Sequence, residues 1–319
     1  KSKWAYLLWP LSLIYYFIIV LRKWCYRNGI RSSTRFSPVV IVVGNITVGG
    51  TGKSPMVAYL AQRLLSQGLR VGLVSRGYRG QADSWPQLVT VDSSALQVGD
   101  EALMLVKQTG CLMCVGPDRV AAVSLLLEQG PLDCVISDDG LQHYALERDI
   151  EVVMLDAVRH LGNGLLLPAG PLRESRSCLQ QQPFVVCHGA LSACRYQMEL
   201  LPLSVVNLLT GEQRMLSDFH SETVCAVAGI GHPQRYFLLL KQAGLCFVTR
   251  CFRDHHRYAA DDFNNIEHEV ILLTEKDAVK CQGFADQRFW VVAVRAHLND
   301  AFTHQFQLSF EHVLANRPC

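Results

Sequence analysis

Hydrophobic and polar positions along this chain change period several times. From Trp4 to Leu21 (WAYLLWPLSLIYYFIIVL) no charged residue occurs, and Ser12 is the sole aliphatic hydroxyl. Eighteen such residues predict one helix about 27 Å long, just short of a bilayer's hydrocarbon core. Residues 38–45, PVVIVVGN, are an unbroken β-branched run ending in glycine, the pattern of a buried parallel strand. Residues 56–68 (MVAYLAQRLLSQG) then place apolar side chains at helical spacing and stop at Gly68. Further strands are expected at VGLVSRGY from Val71 and at LDCVISDDG over 132–140, which gives a βαβ alternation. An amphipathic helix is expected to begin in VGDEALML. After Asp156 comes a Gly- and Pro-rich stretch, HLGNGLLLPAGPLRE. Apolar runs at 184–187, 223–230, 269–274 and 289–294 follow, with the helical pattern PQRYFLLLKQAG among them. This second half reads as another α/β unit. No fixed-period repeat or low-complexity tract occurs.

Length and composition narrow the class. A chain of 319 residues is longer than one hydrophobic core usually organises. With 50 % hydrophobic and 18 % charged residues, it is not intrinsically disordered. The net charge of +2 conceals a polarity: no Asp or Glu precedes Asp83, whereas 12 Lys and Arg do, so the two parts carry +12 and −10. A basic amino-terminal part predicts an anionic partner, whether phosphate, nucleic acid or acidic lipid. The apolar helix selects lipid and sets nucleic acid aside.

Lys1 and Lys3 precede that helix; Arg22, Lys23, Arg27, Arg31 and Arg35 follow it. No small-residue cleavage site follows, which argues against a signal peptide. Pro10 and basic residues on both flanks argue against a simple span. Trp4, Trp9, Tyr15, Tyr16 and Trp24 favour a helix lying in the membrane interface. The competing structural reading is a helix buried against the protein. Twelve cysteines are scattered along the chain, and Cys111 and Cys114 form its lone C-x-x-C. Without a second pair this is read as packing rather than zinc, and the cysteines as reduced cytosolic thiols.

The densest chemistry lies between the first strand and its helix. There ITVGGTGKSP supplies a glycine loop ending in Gly-Lys-Ser, the order a P-loop requires. Backbone N–H groups from Val48 through Gly49, Gly50, Thr51 and Gly52 can surround a phosphate. Lys53 would reach the β- and γ-phosphates, and Ser54, followed by Pro55, would offer its hydroxyl to Mg²⁺. The match is not strict, since Thr47 occupies the first glycine position. A glycine turn that binds nothing is the bland alternative, and the flanking strand, helix and Lys-Ser pair weigh against it. ATP and Mg²⁺ are therefore the expected ligands. Asp138 and Asp139 end the third strand, where P-loop proteins place the acid that holds Mg²⁺; spacing does not choose between them.

Phosphoryl transfer to a hydroxyl also needs a base. Asp100 and Glu101 read, from the residues alone, as ordinary first-turn helix acids. Asp254, His255 and His256 form a polar cluster after an expected strand. Arg76, Arg79, Arg119 and Arg173 lie in Gly- or Pro-containing loops that suit phosphate, although an isolated Arg is usually solvated surface.

The segments GNITVGGTGKSP, SRGYRG, VGDE, GPDR, SDDGLQH, GNGLLLPAGPLRE, FRDHHRY and TEKDAVK occur in this order across nearly the whole chain. Together they closely resemble the tetraacyldisaccharide 4'-kinase family. The resemblance implies transfer of phosphate from ATP to the 4'-hydroxyl of a tetraacylated disaccharide 1-phosphate lipid, giving the bisphosphorylated lipid A precursor. It places that reaction on the cytoplasmic face of the inner membrane, with a peripheral or monotopic attachment through residues 4–21 and no protein partner called for. By position, it makes Asp100 the catalytic base and His255 its partner. It assigns Glu101, Asp138 and Asp139 to the site, the last two for metal. Asn45, Gln142, His143, Arg76, Arg119, Arg173 and Glu174 match as further site candidates, and no physical role emerges for Lys276 or Asp277.

The expected fold is α/β: a P-loop NTPase-like α/β/α domain with a second, smaller α/β domain and an amino-terminal apolar membrane-associating helix. The expected division is 1–27 for that helix, 28–155 for the P-loop kinase domain, and 156–296 for the second domain with linker strands. A helix over about 297–319 is expected to return to the first domain. The rival from another class is a membrane-associated P-loop ATPase with a regulatory or transport role, which would need no hydroxyl-directed base.

Overall fold

The computed structural model describes residues 3–189, 191 and 194–317. Lys1 and the side chains of Lys3 and Trp4 lie outside the described part. The helix α1 (Lys3–Arg27) leads into β1 (Val39–Gly44), α2 (Lys53–Ser66), β2 (Val71–Ser75), β3 (Gln87–Val89) and α3 (Ala95–Val98). Next come α4 (Asp100–Thr109), β4 (Leu112–Val115), α5 (Arg119–Glu128), β5 (Cys134–Asp138) and β6 (Ile150–Asp156). The chain continues through β7 (Phe184–His188), β8 (Tyr196–Asn207), β9 (Gln213–Arg214), β10 (Val224–Ala228) and α6 (Pro233–Gln242). It ends with β11 (Val248–Cys251), β12 (Val270–Thr274), α7 (Glu275–Cys281), β13 (Phe289–Leu298) and α8 (Asp300–Ala315).

The strands form one sheet in the order β11-β10-β12-β13-β8-β7-β6-β1-β5-β2-β4-β3, with β9 on β8. β1 lies centrally in its half and pairs in parallel with β5 and β6. Its side chains alternate between two cores, as a pleated strand requires. Val39, Ile41 and Val43 pack on the face that holds Leu60 and Leu64 of α2 and Leu103 and Leu105 of α4. Val40 and Val42 meet Ala122, Val123 and Leu126 of α5 on the other face. A strand buried on both faces is why PVVIVVG has no polar alternation.

The second half repeats this layering. Tyr236, Phe237 and Leu240 of α6 cover one face of β10 and β12, while Ala278 and Cys281 of α7 lie with Phe263 on the other. The antiparallel ribbon of β8 and β13 joins the halves, and its register shifts between Ala293 and Val294. Met198, Ala296 and Leu298 sit in the first half's core, whereas Val205, Trp290 and Val292 sit in the second's.

α8 returns to the first half, where Phe302, Phe306 and Phe310 pack beside Phe184 and Tyr196. β7 also belongs there: it pairs in parallel with β6, and Phe184 and Val186 enter the first core. The expected boundary at 155/156 therefore falls within β6, before Asp156, and β7 beyond it stays with the first half. The cores change instead along the β8/β13 ribbon. The short run FVVC carries no sign of which sheet half it joins.

The uncharged stretch near the amino terminus forms a helix reaching Arg27, past the end of its apolar run. Burial against the protein is excluded for most of it: Leu7, Trp9, Leu11, Ile14, Phe17, Ile18, Leu21 and Trp24 are exposed. Its polar tethers face inward. Ser12 Oγ donates to the Leu166 carbonyl at 2.8 Å and accepts from Ala169 N–H at 3.0 Å, and Tyr15 donates to the Arg173 carbonyl. Cys187 at the end of β7 and Cys194 just before β8 lie side by side, with Cα atoms 6.2 Å apart. Cys111 and Cys114 are buried free thiols in the first half.

Candidate active site

The carboxyl ends of β1, β5 and β6 gather the chemistry at one edge of the sheet, where strand-to-helix loops of α/β proteins bind ligands. At Gly44 the backbone comes so close to the loop after β5 that a Cβ would stand 2.6 Å from Leu141 Cβ. The loop then turns through Gly49 (φ 98°) and Gly52 (φ 88°), left-handed conformations that favour glycine, before Lys53 opens α2. Backbone pairing anchors its entry: Val48 N–H donates to the Pro171 carbonyl at 2.8 Å, and Arg173 N–H donates to the Ile46 carbonyl at 2.7 Å. That pairing delivers Arg173 to the phosphate loop from 127 residues away.

Asp138 and Asp139, equivalent in the sequence, differ here. Asp139 accepts from Arg173 Nη1 at 2.9 and 3.1 Å, and Lys53 Nζ lies 3.6 Å away. Burial pushes its carboxyl up, but Lys53 and Arg173 outweigh it and hold the group below the usual carboxylate range. Asp138 is buried and its Oδ1 has no partner among the described residues. Burial first, then the negative charges of Glu101 and Asp139, push its carboxyl up to about 7.

Asn45 and Gln142 brace the loop. Asn45 Nδ2 donates to the Gly49 carbonyl at 3.3 Å, Lys53 Nζ donates to Asn45 Oδ1 at 3.5 Å, and Gln142 donates to the Asn45 carbonyl at 3.2 Å. Arg119, buried at the start of α5, donates to the Gly116 carbonyl and senses both aspartates. Burial lowers it to about 10 despite their opposing charge. His143 Nε2 accepts the Arg119 N–H at 3.3 Å, and burial with the Arg119 charge depresses it to about 4. Arg76 is exposed at the same edge. Glu174 is turned elsewhere: it pairs with Lys23 of α1 at 2.5 Å and accepts from Tyr144.

The second half supplies His255. Its Nδ1 lies 3.0 and 2.9 Å from the two Asp100 oxygens, across 155 residues of sequence. Lys276 Nζ lies 3.2 Å from His255 Nε2, 2.9 Å from Glu101 Oε1 and 3.2 Å from Asp254 Oδ1. An ammonium can only donate, so Nε2 accepts and the ring proton resides on Nδ1, where it donates to Asp100. Burial pushes the Asp100 carboxyl up, but the His255 hydrogen bond and the Lys276 and Lys280 charges reverse this and hold it low. Burial lowers Lys276, and Glu101, Asp100 and Asp254 more than compensate, keeping it protonated.

His255 itself adopts φ 61°, a left-handed backbone costly for a residue with a Cβ, and Tyr78 packs edge-on against its ring at 5.3 Å. His256 is not part of this pair; it meets Asp262 at 2.9 Å and stacks on Phe252.

Several contributors had no role assigned from the sequence. Asp277 is wholly buried and accepts the Gly229 N–H at 2.9 Å, while the Gly229 carbonyl accepts the His255 N–H at 3.2 Å. Lys276 and Lys280, four apart on α7, share its site-facing side. Asp156, Arg159, His188 and Arg235 flank the phosphate loop. Lys276, Asp277 and Lys280 all fall in the TEKDAVK segment that helped carry the family resemblance, which gave them no physical role.

A phosphate cradle at the end of a central parallel strand, facing a carboxylate held by a histidine, defines a P-loop phosphotransferase. Residues 4–311 match the family model described as tetraacyldisaccharide-1-P 4'-kinase. A tetraacyldisaccharide 4'-kinase of Pasteurella multocida is 44 % identical over 315 residues, covering 97 % of this chain and 96 % of that protein. One of Legionella pneumophila is 43 % identical over 302 residues, covering 94 % and 92 %. A crystal structure from Aquifex aeolicus, titled as LpxK in complex with ATP, superposes with a TM-score of 0.82 at 27 % identity and covers 98 % of this chain and 99 % of that one. The chain belongs to the tetraacyldisaccharide 4'-kinase family.

Proposed function

We propose that this protein transfers the γ-phosphoryl group of ATP to the 4'-hydroxyl of a tetraacylated disaccharide 1-phosphate, with Asp100 as the base. The observation that carries this reading is the Asp100–His255 hydrogen bond, which puts a low, ionised carboxylate beside a P-loop. A switch or transport ATPase would not need a base directed at an acceptor hydroxyl.

The residues divide the work. Lys53 and the N–H groups of Gly49 to Gly52 bind the phosphates. Asp139 keeps Lys53 and Arg173 aligned toward them. Mg²⁺, when bound with ATP, would neutralise phosphate charge. The Ser54 hydroxyl and the unpartnered Asp138 Oδ1 suit it, and a divalent cation would relieve that carboxylate's burial. Asp100 orients the 4'-hydroxyl and accepts its proton. His255 stabilises Asp100, and Lys276 fixes the tautomer that lets it do so.

The exposed apolar face of α1 would lie in the membrane interface, on the cytoplasmic face of the inner membrane. Arg22, Lys23, Arg27, Arg31 and Arg35 would meet anionic headgroups there. The sugar can then enter the cleft while its acyl chains stay in the bilayer. The two hydrophobic cores would act as separate bodies hinged at the β8/β13 ribbon, and their closure would assemble the base pair and exclude water.

The test is transfer of labelled γ-phosphate from ATP to tetraacyldisaccharide 1-phosphate in detergent micelles. Wild type should transfer, and Asp100→Asn should lose about 100- to 10,000-fold in kcat while binding ATP as before. A folded, ATP-binding wild type that transfers nothing would remove this substrate and bring the ATPase reading forward.

A further inference from the structure

We infer that Arg159 is a further catalytic residue, contacting the β,γ-phosphate region of bound ATP, and that Arg235 positions it from the other half of the molecule through a shared carboxylate, Asp156. The inference rests on the kinase reading above and deepens it.

β6 runs three residues beyond Val153, its last partner of β1, and so carries Asp156 to the edge where the P-loop lies. The buried Asp156 carboxylate accepts the N–H groups of Val158 and Arg159, both at 2.9 Å, and lies 3.3 Å from Arg159 Nε. This turn lays the guanidinium on the phosphate loop. Nη2 donates to the Gly50 carbonyl at 2.5 Å, and Nη1 lies 2.7 Å from where a Cβ on Gly49 would stand. The Arg159 side chain remains 38 % exposed, so it also faces solvent.

Two observations from the second half bear on the same spot. Arg235 of α6 places Nη2 2.9 Å from Asp156 Oδ1 and Nη1 2.9 Å from His188 Nδ1. The His232 ring reaches to within 4.0 Å of where a Cβ on Gly50 would stand, and its buried Nε2 has no partner among the described residues. A guanidinium and an imidazole whose Nε2 has no partner among the described residues thus lie against two adjacent glycines of the phosphate loop. Two such donors beside the loop suit a multiply charged phosphate.

During transfer the bond from the γ-phosphorus to the oxygen bridging it to the β-phosphate breaks. A bond to the 4'-oxygen forms, and the hydroxyl proton passes to Asp100. The bridging oxygen keeps the electron pair, and Arg159 Nη1 neutralises the charge that grows there. Arg235 competes for the same carboxylate that aims Arg159, so approach of the second half sets its position.

The experiment compares ADP with ADP–aluminium fluoride, a mimic of the transferring phosphoryl group, alongside steady-state transfer by the full chain in detergent. Arg159→Ala should lower kcat about 100- to 1,000-fold and weaken binding of ADP–aluminium fluoride far more than binding of ADP. Arg159→Lys keeps the stem and the charge but not the fork, and should recover only part of both losses. Arg235→Ala should lower kcat less, again with the larger effect on ADP–aluminium fluoride. Wild-type kcat in both Arg159 variants would overturn the inference. So would an equal loss of ADP and ADP–aluminium fluoride binding in Arg159→Lys, the result a mere loop brace gives. Failure of the wild type to transfer phosphate would instead defeat the kinase reading.

Discussion

The Asp277 carboxylate contacts none of the phosphate-loop residues, yet it controls His255. It holds the Gly229 N–H, and the Gly229 carbonyl in turn holds the His255 N–H in its left-handed turn. Lys276, its neighbour, acts on the same histidine from the side-chain end. Removing that cation leaves the burial of Asp100 less opposed, so its carboxyl should titrate at a higher pH. Lys276→Met should therefore shift the acidic limb of the pH–rate profile upward, since more of the base is protonated at any given mildly acidic pH. An unmoved limb would show that Lys276 serves only to tie the halves together. At this scale the residues alone displayed their types but not their partners, and the pairing of Asp100 with His255 came from the family resemblance. Asp100 looks like any first-turn helix acid until His255 is beside it.

Helices α1 and α8 are both rich in large apolar residues, and they meet opposite fates. α8 spaces Phe302, Phe306 and Phe310 four apart, so one stripe enters the core beside Phe184 while the polar positions stay out. Phe306→Ala should cost about 3–5 kcal/mol in equilibrium unfolding. Leu314→Ala, at an exposed position of the same helix, should change it by no more than about 0.5 kcal/mol. α1 is apolar over most of its surface, with Ser12, Tyr15 and Lys23 bonded to the protein and Tyr26 packed against Tyr144. Replacing Ile14 and Phe17 together by Asp should weaken sedimentation with anionic vesicles about tenfold or more, while ATP binding persists. Unchanged sedimentation would place the membrane contact elsewhere. α1 was legible from its apolar run. A carboxy-terminal helix returning to the first domain was expected as well, although its Phe stripe alone would fit either core.

For the whole molecule, the site straddles two cores that meet through the β8/β13 ribbon and a few side chains. Asp100, Glu101 and Asp156 come from one side, and His255, Lys276 and Arg235 from the other. If closure completes the site, ATP hydrolysis without the lipid acceptor should run far below the transfer rate. Equal rates would mean that closure excludes no water. The sequence by itself determined the phosphate loop, the apolar amino-terminal helix and the run of alternating strands and helices. Each is written in contiguous residues, whose spacing mirrors the period of the backbone. Tertiary structure alone distinguished Asp139, engaged by Arg173 and Lys53, from Asp138, left buried and unpartnered. It also brought His255 to Asp100 across 155 residues and Lys276 to Glu101 across 175. Such pairings depend on sheet order and on how two halves face each other, and no local period encodes either.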